Sequence, residues 1–104
     1  MTAQPFYQLF IDGAWTDGST GQLMETTNPA NGEVWARFAC ASEADVDRAV
    51  RAAARALSDP LWRDMTQTAR GKLLYRLADL VEAHAAELGA VETTDSGKLL
   101  AETA

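Results

Sequence analysis

The sequence contains one cysteine and one histidine among 104 residues. A single cysteine cannot form an internal disulfide or a cysteine-rich zinc site, and a single histidine excludes a site built on several histidines. No apolar run approaches the roughly 20 residues needed to span a bilayer. The segment Met1–Pro5 lacks the charged and apolar regions of a signal peptide. We therefore expect a cytoplasmic protein without a membrane partner.

Basic residues are also scarce, since nine lysines and arginines stand against 15 acidic residues and leave a net charge of -6. This balance argues against nucleic acid as a partner. Hydrophobic residues make up 47% and charged residues 23% of the chain, which is typical of a globular protein. Turn and strand signals fill residues 6–41, and helical signals fill residues 42–104. The pattern predicts strands followed by helices.

The first part of the chain predicts short strands joined by tight turns. Alternation along residues 7–11 predicts a strand, and Asp12-Gly13 favours a type I′ turn into a second strand at residues 14–16. Residues 23–27 form a short extended segment. The turn Asn28–Gly32 follows, because proline fixes φ and Asn-Gly tolerates the left-handed region. Residues 34–40 then alternate as a further strand.

The second part predicts helices. Ser42 begins a helix over residues 42–59, and Asp45 completes a capping box with it. Acidic residues at 43, 45 and 47 favour the positive end of the helix dipole. Residues 66–96 predict a helix pair or one bent helix, with the bend or break near residues 84–89 because Gly89 is a weak point. Residues 98–104 begin a helix that has no capping residue, so we interpret the chain as cut short.

Cys40 and His84 are the natural candidates for nucleophile and base, and both have simpler interpretations. Cys40 shares a strand face with apolar residues, and free cysteine is commonly a small buried hydrophobe. His84 lies on the apolar stripe of its helix and fits a packing or helix-end role. We predict no catalytic residue in this chain.

Glu92 and Asp95 are harder to explain, because carboxylates at a helix C-terminus oppose the helix dipole. Solvent can absorb that cost. A bound cation would instead turn the arrangement into an advantage, since helix carbonyls and carboxylates are hard oxygen ligands. The residues alone leave both interpretations open.

Taken together, the order of segments from Leu9 to Ala104 resembles the N-terminal end of the aldehyde dehydrogenase superfamily. Each motif alone is weak, but their order and separations make a strong pattern. The sequence departs from many members at Leu99, where proline is common, and at Ala69, where glutamate is common. The landmarks are Leu9–Trp15, Glu25–Val34, Asp45–Val50, Trp62, Leu77–Glu82 and Glu92–Lys98.

This resemblance implies an α/β fold, in which residues 1–104 are the N-terminal part of the cofactor-binding domain of a three-layer αβα enzyme. Such an enzyme oxidises a small aldehyde to a carboxylic acid with NAD or NADP through a cysteine thioester, and it is a homodimer or homotetramer. The nucleophile, the base and the dinucleotide site lie further along the family's chain, so Cys40 is not the nucleophile. No cofactor-binding residue is predicted here.

The resemblance also implies a metal site, because members similar to betaine aldehyde dehydrogenases hold a monovalent cation inside the subunit. The matching positions are Thr26, Thr27 and Asp95, and potassium or sodium is the expected ion.

Two alternatives remain at this stage. The chain could be a stand-alone, non-enzymatic α+β module that binds a partner through Trp15, Trp35 or its apolar helix face. It could instead belong to a CoA-acylating semialdehyde dehydrogenase of the same superfamily. The reading frame beyond Ala104 would discriminate between an enzyme and a module.

Overall fold

A computed structural model describes residues 4–103. The predictions that fall on Met1–Ala3 and on Ala104 lie outside the described residues. The chain divides into two compact units. The first contains the residues up to Thr27 together with Glu33–Arg63, and the second contains Asn28–Gly32 and the residues from Asp64 onward.

A three-stranded sheet in the first unit is formed by β1 (Phe6–Tyr7), β4 (Leu23–Thr27) and β5 (Val34–Ala39). Its strand order is β1-β5-β4. The central strand, β5, pairs in parallel with β1 and antiparallel with β4. The pairing with β4 is irregular between Thr26 and Thr27.

The predicted hairpin is present as β2 (Leu9–Ile11) and β3 (Ala14–Thr16). Both turn residues have left-handed backbone angles, with φ of 56° at Asp12 and 75° at Gly13, as a type I′ turn requires. The Asp12 carboxylate pairs with the guanidinium of Arg55 at 3.1 Å. This ion pair ties the turn to the first helix.

The prediction of one strand over residues 7–11 is wrong. The chain leaves the three-stranded sheet after Tyr7, and the hairpin begins at Leu9. Between them, the side-chain amide of Gln8 donates a hydrogen bond to Asp17 Oδ1 at 2.9 Å. Alternation has the same period in both strands, so it cannot show that they belong to different sheets. Likewise β5 ends at Ala39, so Cys40 follows the strand instead of closing it.

Helix α1 spans Glu43–Ser58, with Ser42 as its N-cap and both hydrogen bonds of the capping box in place. A short helix, α2 (Pro60–Arg63), follows directly, although the sequence predicted only a helix end there. Proline suits the first helical position because the N–H it lacks would have no partner there. Asp59 Oδ1 accepts a hydrogen bond from the Leu61 amide at 2.9 Å, which supports this new start.

Three helices form the second unit: α3 (Gln67–Ala83), α4 (Ala85–Ser96) and α5 (Leu100–Thr103). The break falls at His84, which has φ of -108° and ψ of 15°, within the predicted range of residues 84–89. Gly89 is buried inside α4. Its carbonyl accepts a hydrogen bond from the Thr103 hydroxyl at 3.1 Å, so packing against α5 outweighs the low helix propensity of glycine.

Among the described residues, the only buried apolar side chains are those of Ala36 and Ala39. The apolar stripe of α1 is open, with Val46 exposed by 54% and Val50 by 61%. None of the helices in residues 4–103 combines the length and apolar character needed to cross a bilayer. The predicted order of strands followed by helices is confirmed, but the helix faces remain largely uncovered in this chain.

Candidate functional site

A polar cluster in the first unit surrounds Asp45, whose side chain is fully buried. Its Oδ2 accepts hydrogen bonds from the backbone amides of Ser42 at 2.9 Å and Ser19 at 3.0 Å. The hydroxyls of the same two serines lie 3.0 and 3.2 Å from Oδ2. On the other side, Oδ1 accepts from the Arg48 guanidinium at 2.8 Å.

These donors hold the pKa of Asp45 well below its ordinary value. The largest causes are the backbone amides of Ser42 and Ser19, with further contributions from Arg48 and the Ser42 hydroxyl. Burial acts in the opposite direction, because it disfavours the charged form. Asp45 is therefore a carboxylate at any physiological pH and cannot serve as a general acid. Its chemistry is that of an anchor between the Ser19 loop and the start of α1.

A glycine completes the anchor. Gly18 is buried beside the backbone of Cys40, and a side chain at this position would collide with the Cys40 carbonyl oxygen. The Cys40 amide donates to the Gln22 carbonyl at 2.9 Å, which holds the other end of the same loop. The sequence indicated a loop here. It gave no signal for this close approach, since the partners are more than twenty positions apart.

Cys40 and His84 belong to different units. Cys40 is a free, half-buried thiol in the first unit. His84 belongs to the second unit, caps the junction of α3 and α4, and is 60% exposed with Nδ1 3.4 Å from Glu87 Oε2. The helix-end interpretation of His84 is confirmed. Within residues 4–103, no three cysteine, histidine or acidic side chains are grouped to hold a metal.

The residues predicted to bind a cation lie in different units. Thr26 and Thr27 end β4 in the first unit, and Asp95 is an exposed residue in the last turn of α4 in the second. Glu92 is paired with Lys98 at 3.7 Å, so the Lys98 ammonium group compensates part of the negative charge at the C-terminal end of α4. The cation site stays a prediction.

The turn that follows Thr27 belongs to the second unit. Its Asn28 carbonyl accepts from the Gly32 amide at 2.7 Å, and Asn28 Oδ1 accepts from the Ala30 amide at 2.9 Å. The Pro29 ring lies against Gly97, where a Cβ would come within 2.9 Å of Pro29 Cγ. Gly97 also has φ of 78°, so both space and backbone conformation require glycine at this helix end.

Comparison with known proteins identifies the family of this chain. The model of the aldehyde dehydrogenase family matches residues 15–104. A curated relative, the (Z)-2-((N-methylformamido)methylene)-5-hydroxybutyrolactone dehydrogenase of Acinetobacter baylyi, is 48% identical over 97 residues, which are 93% of this chain and 20% of that protein. The chain thus spans about one fifth of this relative's length.

Solved structures agree with this match. The NAD-dependent aldehyde dehydrogenase of Sinorhizobium meliloti superimposes with a TM-score of 0.91 at 32% identity, over 97% of this chain and 20% of that one. A betaine aldehyde dehydrogenase of Staphylococcus aureus, solved in complex with NAD+, gives a TM-score of 0.88 at 33% identity, over 92% of this chain and 19% of that one.

Proposed function

Because this chain belongs to the aldehyde dehydrogenase family, we propose that it is the N-terminal part of an enzyme that oxidises an aldehyde to a carboxylic acid with NAD or NADP. The observation that carries the proposal is the superposition of nearly the whole chain on an NAD-dependent aldehyde dehydrogenase. The anchor around Asp45 fits a supporting role, since its buried carboxylate has a lowered pKa and stays charged.

In this proposal, residues 1–104 cover one flank of the cofactor-binding domain, and the dinucleotide is bound by later parts of the protein. The S. aureus relative was solved with NAD+, which supports NAD as the first cofactor to test. Cytoplasmic location and assembly into a homodimer or homotetramer remain proposals that rest on the resemblance and on the single cysteine.

The direct test is NAD(P)H formation by the full-length protein with a panel of small aldehydes. Parallel reactions with and without coenzyme A separate the two chemistries of the superfamily. A carboxylic acid formed without coenzyme A supports the proposal, whereas strict dependence on coenzyme A identifies an acylating enzyme. Absence of turnover with every aldehyde and both cofactors would contradict an oxidoreductase.

We expect the 104-residue chain by itself to show no aldehyde dehydrogenase activity. The thiol of Cys40, the residue that follows β5, is half-buried. A catalytic cysteine needs a nearby group that lowers the pKa of its thiol. The measurement is NAD(P)H formation with purified chain. Turnover that disappears in Cys40→Ala would show that the catalytic machinery is in this chain after all.

We also propose that Asp95 helps to bind potassium or sodium with backbone oxygens of Thr26 and Thr27. Support comes from the placement of Asp95 at a helix C-terminus and from the contact of Pro29, two residues after Thr27, with Gly97. We expect the melting temperature of the full-length protein to depend on the cation, and Asp95→Asn to remove that dependence while leaving turnover nearly unchanged.

The melts compare potassium, sodium and a large organic cation at matched ionic strength. Glu92→Gln is the matched control, because Glu92 shares the helix end but already pairs with Lys98. Equal wild-type stability in all three salts would show that Asp95 is only a solvated residue.

A further inference from the structure

A groove of about 520 Å³ lies in the first unit between the β2–β3 hairpin and one face of α1. The helix contributes Arg48, Arg51 and Arg55 to its lining. Their spacing of three and then four residues places all of them on the same side of the helix. The hairpin contributes Asp12 and Trp15, whose side chain is 66% exposed.

This groove gathers guanidinium N–H donors. It is lined by three guanidinium groups and one carboxylate, that of Asp12, and each guanidinium has one carboxylate partner, since Arg48 pairs with Asp45, Arg51 with Asp47 and Arg55 with Asp12. What the groove offers an anion is therefore a concave surface rich in N–H donors. Neither the family match nor the anchor around Asp45 accounts for Arg51 and Arg55.

The guanidinium groups of Arg51 and Arg55 are each held by one ion pair and have further N–H donors. Arg51 Nε pairs with Asp47 at 2.8 Å, and one terminal nitrogen of Arg55 pairs with Asp12 at 3.1 Å. A guanidinium has five N–H donors, so each of these pairs leaves others for a ligand. Such exposed ion pairs contribute little to stability. A multiply charged anion can therefore share or displace them.

We propose that this groove binds a small phosphate-bearing anion with at least two negative charges, bridged by Arg51 and Arg55. Residues four apart on a helix have Cβ atoms about 5–6 Å from each other, so two guanidinium groups can each meet one phosphoryl group of a diphosphate. Planar guanidinium groups bind phosphate through paired N–H···O bonds. Where the phosphates are attached to an aromatic group, the exposed ring of Trp15 can stack on that group.

The test is a calorimetric titration of the full-length protein with inorganic pyrophosphate, at low ionic strength and with saturating NAD present. We expect Arg51→Gln and Arg55→Gln each to weaken binding about tenfold, the scale of a lost hydrogen bond to a charged group. Arg37→Gln is the matched control, because Arg37 forms a similar exposed ion pair with Glu25 at 3.2 Å on β5, outside the groove.

A variant that should bind pyrophosphate more tightly is a more decisive test than variants that lose binding. Asp12→Asn removes the only carboxylate of the groove lining and frees Arg55, so we expect pyrophosphate to bind several-fold more tightly. Asparagine accepts left-handed backbone angles, so the turn at φ of 56° is kept. The proposal is overturned by absence of pyrophosphate binding, by arginine variants that bind like wild type, or by equal weakening in Arg37→Gln.

A second arm identifies the source of the phosphates. Adenosine diphosphate that binds more tightly than pyrophosphate, with the difference lost in Trp15→Leu, supports a phosphate group on an aromatic carrier. Equal affinities for the two compounds support an inorganic anion in the same groove.

Discussion

Replacing Asp45 with asparagine should lower the melting temperature of the protein by several degrees. The buried carboxylate accepts from two backbone amides and faces the Arg48 guanidinium. Asparagine turns one of the two acceptor atoms into a donor and removes the charge that pairs with Arg48. Breaking one partner of a buried charged network leaves the others without compensation, so the loss should exceed that of an ordinary surface substitution.

The measurement is thermal unfolding, combined with hydrogen exchange at the amides of Ser19 and Ser42, which should exchange faster in the variant. Asp47→Asn is the control, because Asp47 forms an exposed i,i+4 pair with Arg51 and such pairs contribute little. If both variants melt together and the two amides stay protected, the anchor has no energetic role.

The same anchor has a predicted pH dependence. The pKa of Asp45 is depressed in the folded protein, so the folded state binds this proton less readily than the unfolded state does. Its stabilisation is complete above the unfolded pKa of about 4 and is lost progressively as the pH falls below that value. Asp45→Asn should therefore cost stability near neutral pH and flatten the acid limb of the stability profile.

Gly18→Ala should destabilise the protein by about 1–3 kcal/mol or more, the range for overpacking a filled site. The added methyl group would meet the Cys40 carbonyl oxygen, which is backbone and cannot rotate away like a flexible side chain. Either the loop or the end of β5 must move, and the Ser19 amide would shift from Asp45. Chemical denaturation of wild type and variant measures the loss.

Gly71→Ala is the matched control for this substitution. Gly71 lies inside α3, and a Cβ there meets nothing within 4 Å. Alanine should be neutral or stabilise the helix by up to about 1 kcal/mol. Equal destabilisation by both changes would show that the contact with Cys40 is not the cause.

The features that local chemistry specifies could be predicted from the sequence. The Asp12-Gly13 turn and the capping box of Ser42 and Asp45 depend on neighbouring residues, and both are present. The separation of β1 from β2 could not be predicted, because their alternation is continuous while their partners lie in different sheets. The break between α3 and α4 lies within the predicted range of residues 84–89, but its exact place at His84 could not be predicted, because the contact that holds Gly89 in its helix comes from the distant Thr103.

The same difference between local and long-range contacts applies to the candidate sites. Asp45 was recognised as a helix cap, but its burial depends on Ser19, which no local pattern connects to it. Similarly, the spacing of Arg48, Arg51 and Arg55 is visible in the sequence, whereas their pairing with the hairpin in one groove requires the fold. Long-range contacts determine the residues that sequence reasoning missed.

The small interior of this chain has a consequence for inherited or engineered variants. Among the described residues, the buried side chains are those of Ala36, Ala39 and Asp45, so few positions are packed within this chain. In a cell, a loss of about 1–2 kcal/mol can change protein abundance several-fold through chaperones and proteases. Substitutions at these three positions should therefore be detected first as a lower amount of the protein in the cell.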